Sequence, residues 1–510
     1  MKTILTNILY FPSSQTENLG LGSISAYLRE NNRDVVLNCI HAGHIESGEY
    51  IRLYKECDLC GFTIFTMNAE LVFTVAHALK KAYSHIRICV GGYLATICYK
   101  QIMKECSAID YILLGDGEQS MLDIVKCLEK NESLSYLPHV VTRCDTEEKT
   151  ADVIDITKIP PPARDNMIYS LQHGNTIAQI SGSRGCCAHC TFCSANYYAP
   201  KWRGRPIIDI YNEICGINKK YGVKCFMFND ASFEDPGNLG IERLDELCDK
   251  LIAGEHRFAF RCFFRGDSLI NHADLLKKLR RAGFVQVFIG LEAANETDLL
   301  VYGKKATIEQ NKTSLQLFRQ YDIDVLIGFI MLNPYSTRES LRTNYLFLRD
   351  CHAFSYGNYV SRIELDYNTV LYNRLLCDGL LKDTYDYKHP FEYKFRDAYA
   401  DRVNAFLQGQ DEVGDIMSYD FDFNASMQVV NNLKAICPHE SANERHKFLT
   451  IREKISEELA HYFDFIYLQQ DLERAHKEWP GFVRRINELY AAAKRVSMQL
   501  IIHHKELQIY

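Results

Sequence analysis

Cys186, Cys190 and Cys193 form a C-x3-C-x2-C array within the run Arg184-Gly185-Cys186-Cys187-Ala188-His189-Cys190-Thr191-Phe192-Cys193-Ser194. Three thiolates on one short loop can ligate three irons of a cubane iron–sulfur cluster and leave the fourth iron without a protein ligand. An open metal position is where a substrate or cofactor binds, whereas a closed four-thiolate site is an electron carrier or a structural staple. The array therefore predicts a chain that does chemistry at a cluster. Structural zinc is the competing reading. It takes four ligands, usually as two pairs set roughly 12–20 residues apart. The other close pair, Cys57 and Cys60, lies far upstream, at the start of a run that reads as a buried strand, Leu59–Phe65. His189 can act as a ligand, so spacing alone leaves zinc open.

The length of 510 residues calls for two or three domains. With 47% hydrophobic and 24% charged residues, each can bury a core. A net charge of −7 gives no basic footprint for nucleic acid. No apolar run approaches the ~18–20 residues that span a bilayer. The start, Met1-Lys2-Thr3-Ile4-Leu5, passes quickly into Pro12 and a polar loop, without a signal peptide's apolar region. Nineteen cysteines with no export signal predict reduced thiols and a cytoplasmic location. Most of them, such as Cys89, Cys225 and Cys262, sit in apolar strands and read as small buried hydrophobes.

Residues 1–140 alternate apolar runs with helical periods. Strands are expected at Ile4–Tyr10, Val35–Asn38, Leu59–Phe65, Ile86–Val90 and Tyr111–Leu114, and the helices lie between them. This pattern predicts an α/β fold with a doubly wound, Rossmann-like parallel sheet, which binds ligands at the carboxyl ends of its strands. Gly91-Gly92 and Gly115-Asp116-Gly117-Glu118 fall at such ends. Residues 141–172 read as a linker, stiffened by Pro160-Pro161-Pro162. From 173 to 390 the alternation resumes, with strands expected at Thr176–Ile180, Lys224–Phe228, Arg257–Phe264, Val285–Gly290, Asp324–Met331 and Ser361–Leu365. About six such units predict a partial (βα)6, TIM-like barrel, with catalytic groups at the carboxyl ends of its strands. The cysteine loop follows the first of these strands. Residues 391–510 carry amphipathic stretches such as Asn443–Phe465 and Trp479–His504 and read as a helical domain with no motif that suggests chemistry.

The block from Ser183 to Pro206 resembles the opening of the radical S-adenosylmethionine superfamily: Ser183-Arg184-Gly185-Cys186, Cys190-Thr191-Phe192-Cys193-Ser194 and Trp202-Arg203-Gly204-Arg205-Pro206. Further matches follow in order: Phe228–Phe233, Arg265-Gly266-Asp267, Gly290–Glu296 with Tyr302-Gly303-Lys304, and Gly328–Pro334. The N-terminal region resembles the cobalamin-binding domain that precedes this barrel in one subfamily, through Leu19–Gly22, Gly91–Thr96 and Gly115–Glu118, and Pro160–Asp165 is similar to the segment that joins the two. The resemblance covers roughly residues 1–385.

That resemblance implies a [4Fe-4S] cluster on Cys186, Cys190 and Cys193, S-adenosylmethionine on the open iron, and cobalamin. It implies Phe192 near the adenine, Glu292 and Arg265 at the ribose and methionyl groups, and Asp230 as a further contact. Gly91, Gly92, Thr96 and Gly117 would line the nucleotide tail of cobalamin, and Thr66 and Asn68 would lie near the corrin. No Asp-x-His-x-x-Gly pattern occurs; His41 and Gly43 have the wrong spacing, so the implied cobalamin is base-off without a His ligand. Cys187 adds a thiol beside the first ligand position. The implied reaction is C-methylation of an unactivated carbon of a small-molecule, natural-product or peptide substrate by way of a 5′-deoxyadenosyl radical, with electrons from a flavodoxin- or ferredoxin-like donor. Cyclisation, ring rearrangement or phosphorus methylation are the alternatives within the same architecture. A cobalamin sensor and a zinc-stabilised interaction protein are the non-enzymatic ones.

Overall fold

The structure, a computed structural model, describes residues 1–9, 17–145, 147–382, 386–388, 392–410, 415–439 and 441–504. The expected strand end at Tyr10, the polar loop at Pro12 and the boundary at residues 390–391 lie outside the described residues.

Six strands form the N-terminal sheet: β1 (Lys2–Leu9), β2 (Asp34–His41), β3 (Leu59–Thr63), β4 (Arg87–Gly91), β5 (Tyr111–Leu113) and β6 (Val140–Thr142), in the order β2-β1-β3-β4-β5-β6. Strands β1 to β5 are parallel, and β6 closes the edge antiparallel to β5. Alternation of side chains divides the core. Ile4, Ile8, Cys60, Phe62, Ile88 and Val90 pack in one cluster with the helices Ala69–Ala82 and Tyr93–Glu105. Leu5, Leu59, Cys89 and Leu113 pack in another with the helices Leu19–Glu30 and Glu118–Lys130. Both faces are covered, which is why these strands read as continuous apolar runs.

The start of the expected linker differs from the reading above. Val141 and Thr142 belong to β6, and the linker's end is the helix Met167–Gln172. A strand of three residues at a sheet edge carries no periodicity of its own; its pairing with β5 is what makes it a strand.

The second sheet begins with β7 (Ile177–Ile180). The two-residue strands β8 (Ser183–Arg184) and β9 (Arg203–Gly204) follow, then β10 (Cys225–Phe228), β11 (Ala259–Arg265), β12 (Phe284–Glu292) and β13 (Asp324–Phe329). Its order, β7-β10-β11-β12-β13, is sequential and all parallel, the topology of an open barrel. The expected sixth strand, Ser361–Leu365, is reduced to one parallel bridge between Leu332 and Arg362. Two residues on, Pro334 has no N–H to continue the ladder, which limits pairing to this point.

The C-terminal helices Asp415–Ile436, Ala442–Phe463 and Leu472–His503 share one continuous apolar cluster with the barrel, and the first of them packs against β11 and β12. Among the described residues no helix is long and apolar enough to cross a membrane.

Candidate functional site: a cysteine loop at the junction of two sheets

Strands β8 and β9 clip the base of the cysteine loop, Ser183 opposite Gly204 and Arg184 opposite Arg203. Gly185 turns the chain with φ +86°, where a Cβ would sit 2.4 Å from the Lys201 carbonyl oxygen, so only glycine fits. The loop is tied to the barrel on its far side. Thr191 donates its N–H to the Tyr302 carbonyl (2.9 Å) and its hydroxyl to the Val301 carbonyl (2.6 Å). Ser194 N–H donates to Asp366 (3.1 Å), and Cys187 N–H to Asp235 (2.8 Å).

Cys186, Cys190 and Cys193 are half-buried, and the N–H groups of Ala188 and Ala195 lie 3.4 Å from the Cys186 and Cys193 sulfurs. Burial pushes the Cys186 thiol up to about 11 and raises those of Cys190 and Cys193. Uncoordinated, they are thiols; iron deprotonates its thiol ligands outright, and N–H···S bonds tune a cluster's potential. The donor set, three soft sulfurs with amides beside them, fits a cluster. Among the described residues no three His, Cys, Asp or Glu side chains converge as one ion would require. The thiolates of a cubane each bind a different iron.

The barrel strands bring Arg265 and Glu292 to the same end, where both act electrostatically on Cys190. Glu292 takes φ +68°, a strained conformation for a residue with a side chain, and strain of this kind collects at functional sites. Burial raises its carboxyl and Lys304, 3.4 Å away, opposes the rise. Gly303, with φ +68°, lets the chain pass His189, so Tyr302-Gly303-Lys304 serves the loop and Glu292 together. Arg265 is ion-paired to the buried Asp235, which also holds Cys187 N–H. Phe192 meets Tyr302 edge-on at 5.7 Å.

Asp230 faces inward. It is 2% exposed and accepts from Gly182 N–H (2.8 Å) and the Ser183 hydroxyl (2.5 Å), bracing the strand that launches the loop. Burial pushes its carboxyl up to about 6 from an ordinary 3.8. A raised folded-state value means that its contribution is fully present below pH ~3.8 and lost as pH rises through about 6. Asp230→Asn is expected to remove a pH dependence worth about 3 kcal/mol between those limits, measured by anaerobic urea unfolding at both pH values. An unchanged slope would rule this out.

In the N-terminal half a cavity of about 330 Å³ opens between β3, β4, β5 and the start of the helix Leu19–Glu30. Gly91, Gly92 and Gly117 line it, as do Ser183, Arg184, Gly185 and Tyr198 from the cysteine loop. At Gly92 φ is +102° and a Cβ would lie 3.0 Å from the Thr63 hydroxyl. Thr66, Asn68 and Thr96 are not among the lining residues. Asn68 accepts from Phe65 N–H (2.7 Å) and donates to the Thr63 carbonyl (3.2 Å), shaping the loop after β3. Thr96 joins the two glycine turns by donating to the Gly92 carbonyl and accepting from Gly115 N–H. Thr66 lies 3.2 Å from the Tyr93 hydroxyl.

Sequence reasoning valued the Gly115–Glu118 turn for its glycines and missed its acids. Arg184, two residues before Cys186, donates to Asp116 (2.8 Å), Glu118 (2.6 Å) and the Ser23 hydroxyl (3.1 Å). Arg203 pairs with Asp116 and donates to the Ile154 carbonyl (2.8 Å). Burial alone would raise the Glu118 carboxyl, but Arg184 and Ser23 outweigh it and hold it below its ordinary range. A second clamp places Arg164 of the linker between Glu17 and Glu213, at 2.5 Å from each. Acidic residues flanking glycines in a turn, with two arginines flanking a cysteine loop, were the available signal.

A three-cysteine loop at the mouth of an open parallel barrel, docked on a doubly wound sheet with a glycine-lined cavity, defines a radical S-adenosylmethionine barrel joined to a B12-binding domain. The family models agree: Radical SAM superfamily over residues 180–348 and B12 binding domain over residues 12–125. The chain belongs to the cobalamin-dependent radical S-adenosylmethionine enzymes, whose cofactors are a [4Fe-4S] cluster, S-adenosylmethionine and cobalamin. It is 27% identical over 322 residues to the anaerobic magnesium-protoporphyrin IX monomethyl ester cyclase of Synechocystis sp., covering 61% of this chain and 64% of that one. It is 24% identical over 321 residues to the hopanoid C-3 methylase of Methylococcus capsulatus, covering 62% of this chain and 61% of that one. The chain thus spans less than two thirds of the length of either relative. The structure of OxsB with aqua-cobalamin and S-adenosylmethionine bound superposes with a TM-score of 0.74 at 19% identity, over 100% of this chain and 80% of that one, which establishes the shared fold.

Proposed function

We propose that the protein is a C-methyltransferase of this family, acting on an unactivated carbon of a small-molecule or peptide substrate. Residues 1–140 would carry the corrin and residues 173–390 the cluster and S-adenosylmethionine, with the described helices of residues 391–510 packed against the barrel. The supporting observation is the shared wall: the glycine-lined cavity and the cysteine loop meet at Arg184 and are locked together by Asp116 and Glu118. When bound, the cluster with S-adenosylmethionine supplies one-electron hydrogen abstraction, and cobalamin supplies a methyl group.

The chain's own part is to hold and orient. Cys186, Cys190 and Cys193 carry the cluster. Glu292, positioned by Lys304, accepts ribose hydroxyls, the part-buried Arg265 faces the methionyl carboxylate, and Phe192 covers the adenine. Gly91, Gly92 and Gly117 admit the nucleotide tail by close backbone approach, with Thr96 fixing both turns. Thr66 and Asn68 shape the loop beside the corrin. The chain has no Asp-x-His-x-x-Gly histidine that would hold the cobalt, so the cobalamin would bind base-off. His41, the imidazole nearest in sequence to the expected pattern, is hydrogen-bonded to the Tyr169 hydroxyl at 2.6 Å. A flavodoxin- or ferredoxin-like protein supplies the electrons.

Gly91 has room for a Cβ, whose nearest neighbour would lie 3.7 Å away. Gly91→Leu is therefore expected to fold while filling the cavity. Overpacking of about 1–3 kcal/mol predicts a roughly 5- to 150-fold loss of corrin affinity at unchanged iron content. Undiminished corrin absorbance after desalting would place the tail elsewhere.

The decisive experiment is anaerobic reconstitution with iron, sulfide and hydroxocobalamin, followed by reductant and S-adenosylmethionine. Production of 5′-deoxyadenosine with retained corrin supports the reading. Corrin without 5′-deoxyadenosine would mean nonradical methyl transfer or sensing, and 5′-deoxyadenosine without corrin would remove cobalamin from the account. The cyclase among the relatives supports ring formation as a second reading. With substrate, methylation yields S-adenosylhomocysteine alongside product, and cyclisation yields none.

A further inference from the structure

Side chains along β11 and β12 alternate between two faces. Phe264 packs against Phe318 of the outer helix Ile308–Gln320 at 5.7 Å, so Arg261, Phe263 and Arg265 face the lumen. Gln286 is the register partner of Arg261 and Phe288 that of Phe263, so both face the same way, and past a bulge the Glu292 carboxylate lies over Gly290 on that side. Arg265 and Glu292 stand at the mouth. Arg261 lies four residues below Arg265 on β11, about 13 Å at ~3.3 Å per residue. At mid-height the Phe263 and Phe288 rings lie 5.4 Å apart, and Phe288 is 37% exposed although β12 is an interior strand, so the lumen is open there.

The floor is unlike the rest of the core. Arg261 is 7% exposed and, among the described residues, has no ion pair or hydrogen bond. Gln286 is 1% exposed, and neither its amide nitrogen nor its amide oxygen has a partner. Asp324, the register partner of Gln286 on β13, is already engaged by Arg452 (2.7 Å) and Asn431 (2.9 Å) of the C-terminal helices. The electrostatic neighbour of Arg261 is Cys225, whose thiol burial pushes up to about 12 and so keeps neutral. Burial brings the Arg261 guanidinium down to about 10, which leaves it charged at neutral pH. A buried cation without a counterion and a buried amide without partners are each unfavourable, and side by side they present a fork of N–H donors to a planar or tetrahedral oxyanion.

We propose that Arg261 and Gln286 bind an oxyanion of the substrate, a carboxylate or phosphate on an apolar body that lies along Phe263 and Phe288 and extends toward the mouth. The inference rests on the reading of that mouth as the reaction site.

The test titrates the reconstituted holoenzyme anaerobically with octanoate, octyl phosphate and octanol. At least one anion is expected to bind about tenfold or more tightly than octanol, as a charge-assisted pair predicts. The tighter anion distinguishes carboxylate from phosphate. Arg261→Met is expected to lose about tenfold or more of that affinity while its melting temperature rises, because an unpaired buried charge is gone. Gln286→Leu weakens anion binding without affecting octanol, and it decides the matter if Arg261→Met fails to fold. Binding of neither anion, equal binding of octanol, or anion binding unchanged in the folded variants would overturn the proposal. Formation of 5′-deoxyadenosine is measured on the same wild-type samples. Its absence would sink the reaction-site reading, while the titration still decides the floor.

Discussion

Cys190→Ala is expected to abolish reductive cleavage of S-adenosylmethionine, with 5′-deoxyadenosine at background and iron and sulfide lost, while corrin retention stays at the wild-type level. On the proposed assignment each thiolate of the array would bind a different iron, so removing one would leave a cubane with two open corners that the loop cannot hold. Cys190 is the position to test because no second thiol adjoins it, whereas Cys187 lies beside Cys186. The cavity lining does not include Cys190, which is why corrin retention is the internal control. Cys187→Ala should leave iron content and cleavage intact, since its thiol is exposed and the backbone N–H that Asp235 holds is kept in the variant. A Cys190→Ala protein with its cluster intact would overturn the ligand assignment.

Arg184→Met is expected to be the most destabilising single change at the junction of the two sheets. Arg184 satisfies Asp116, Glu118 and Ser23, and without it the Glu118 carboxylate is buried and unpaired. Breaking a buried pair of this kind costs about 3–5 kcal/mol. The pH dependence should change sign. In the wild type the Glu118 carboxyl is held below its ordinary value of 4.5, so its contribution is present above that pH and lost as pH falls through the folded value. In Arg184→Met burial is opposed only by the hydrogen bonds from the Ser23 hydroxyl and the backbone, so the carboxyl is expected to rise and the protein to gain stability on acidification through the same range. Anaerobic urea unfolding at two pH values measures both effects. Adding Glu118→Gln should recover part of the loss, because the stranded charge is gone. A loss under about 1 kcal/mol would mean that the junction is held by the Arg164 clamp instead.

The parts of the site that lie within one short segment were legible. The cysteine spacing, the glycine turns and Glu292 beside its Tyr302-Gly303-Lys304 partner are local patterns, and the strand–helix alternation that places the loop at a strand end is a local period. The bond by which Thr96 ties its own turn to Gly115 was not legible, because it joins two turns that follow different strands. That Asp230 braces the loop from beneath was not legible, because it depends on β10 lying directly beside β7 in the second sheet.

What the sequence by itself determined is most of the elements, the order of the two α/β halves and the place of the cysteine loop after the first strand of the second half, since periodicity and spacing act over a few residues. Only the tertiary structure decided that Asp116 and Glu118 clamp Arg184, that Arg265 serves Asp235 and that the sixth strand shrinks to one bridge. It alone sets Arg261 beside Gln286 on the barrel floor. These outcomes depend on strand register and on how one sheet docks against another, and charges brought together from distant parts of the chain leave no period in the sequence that could announce them.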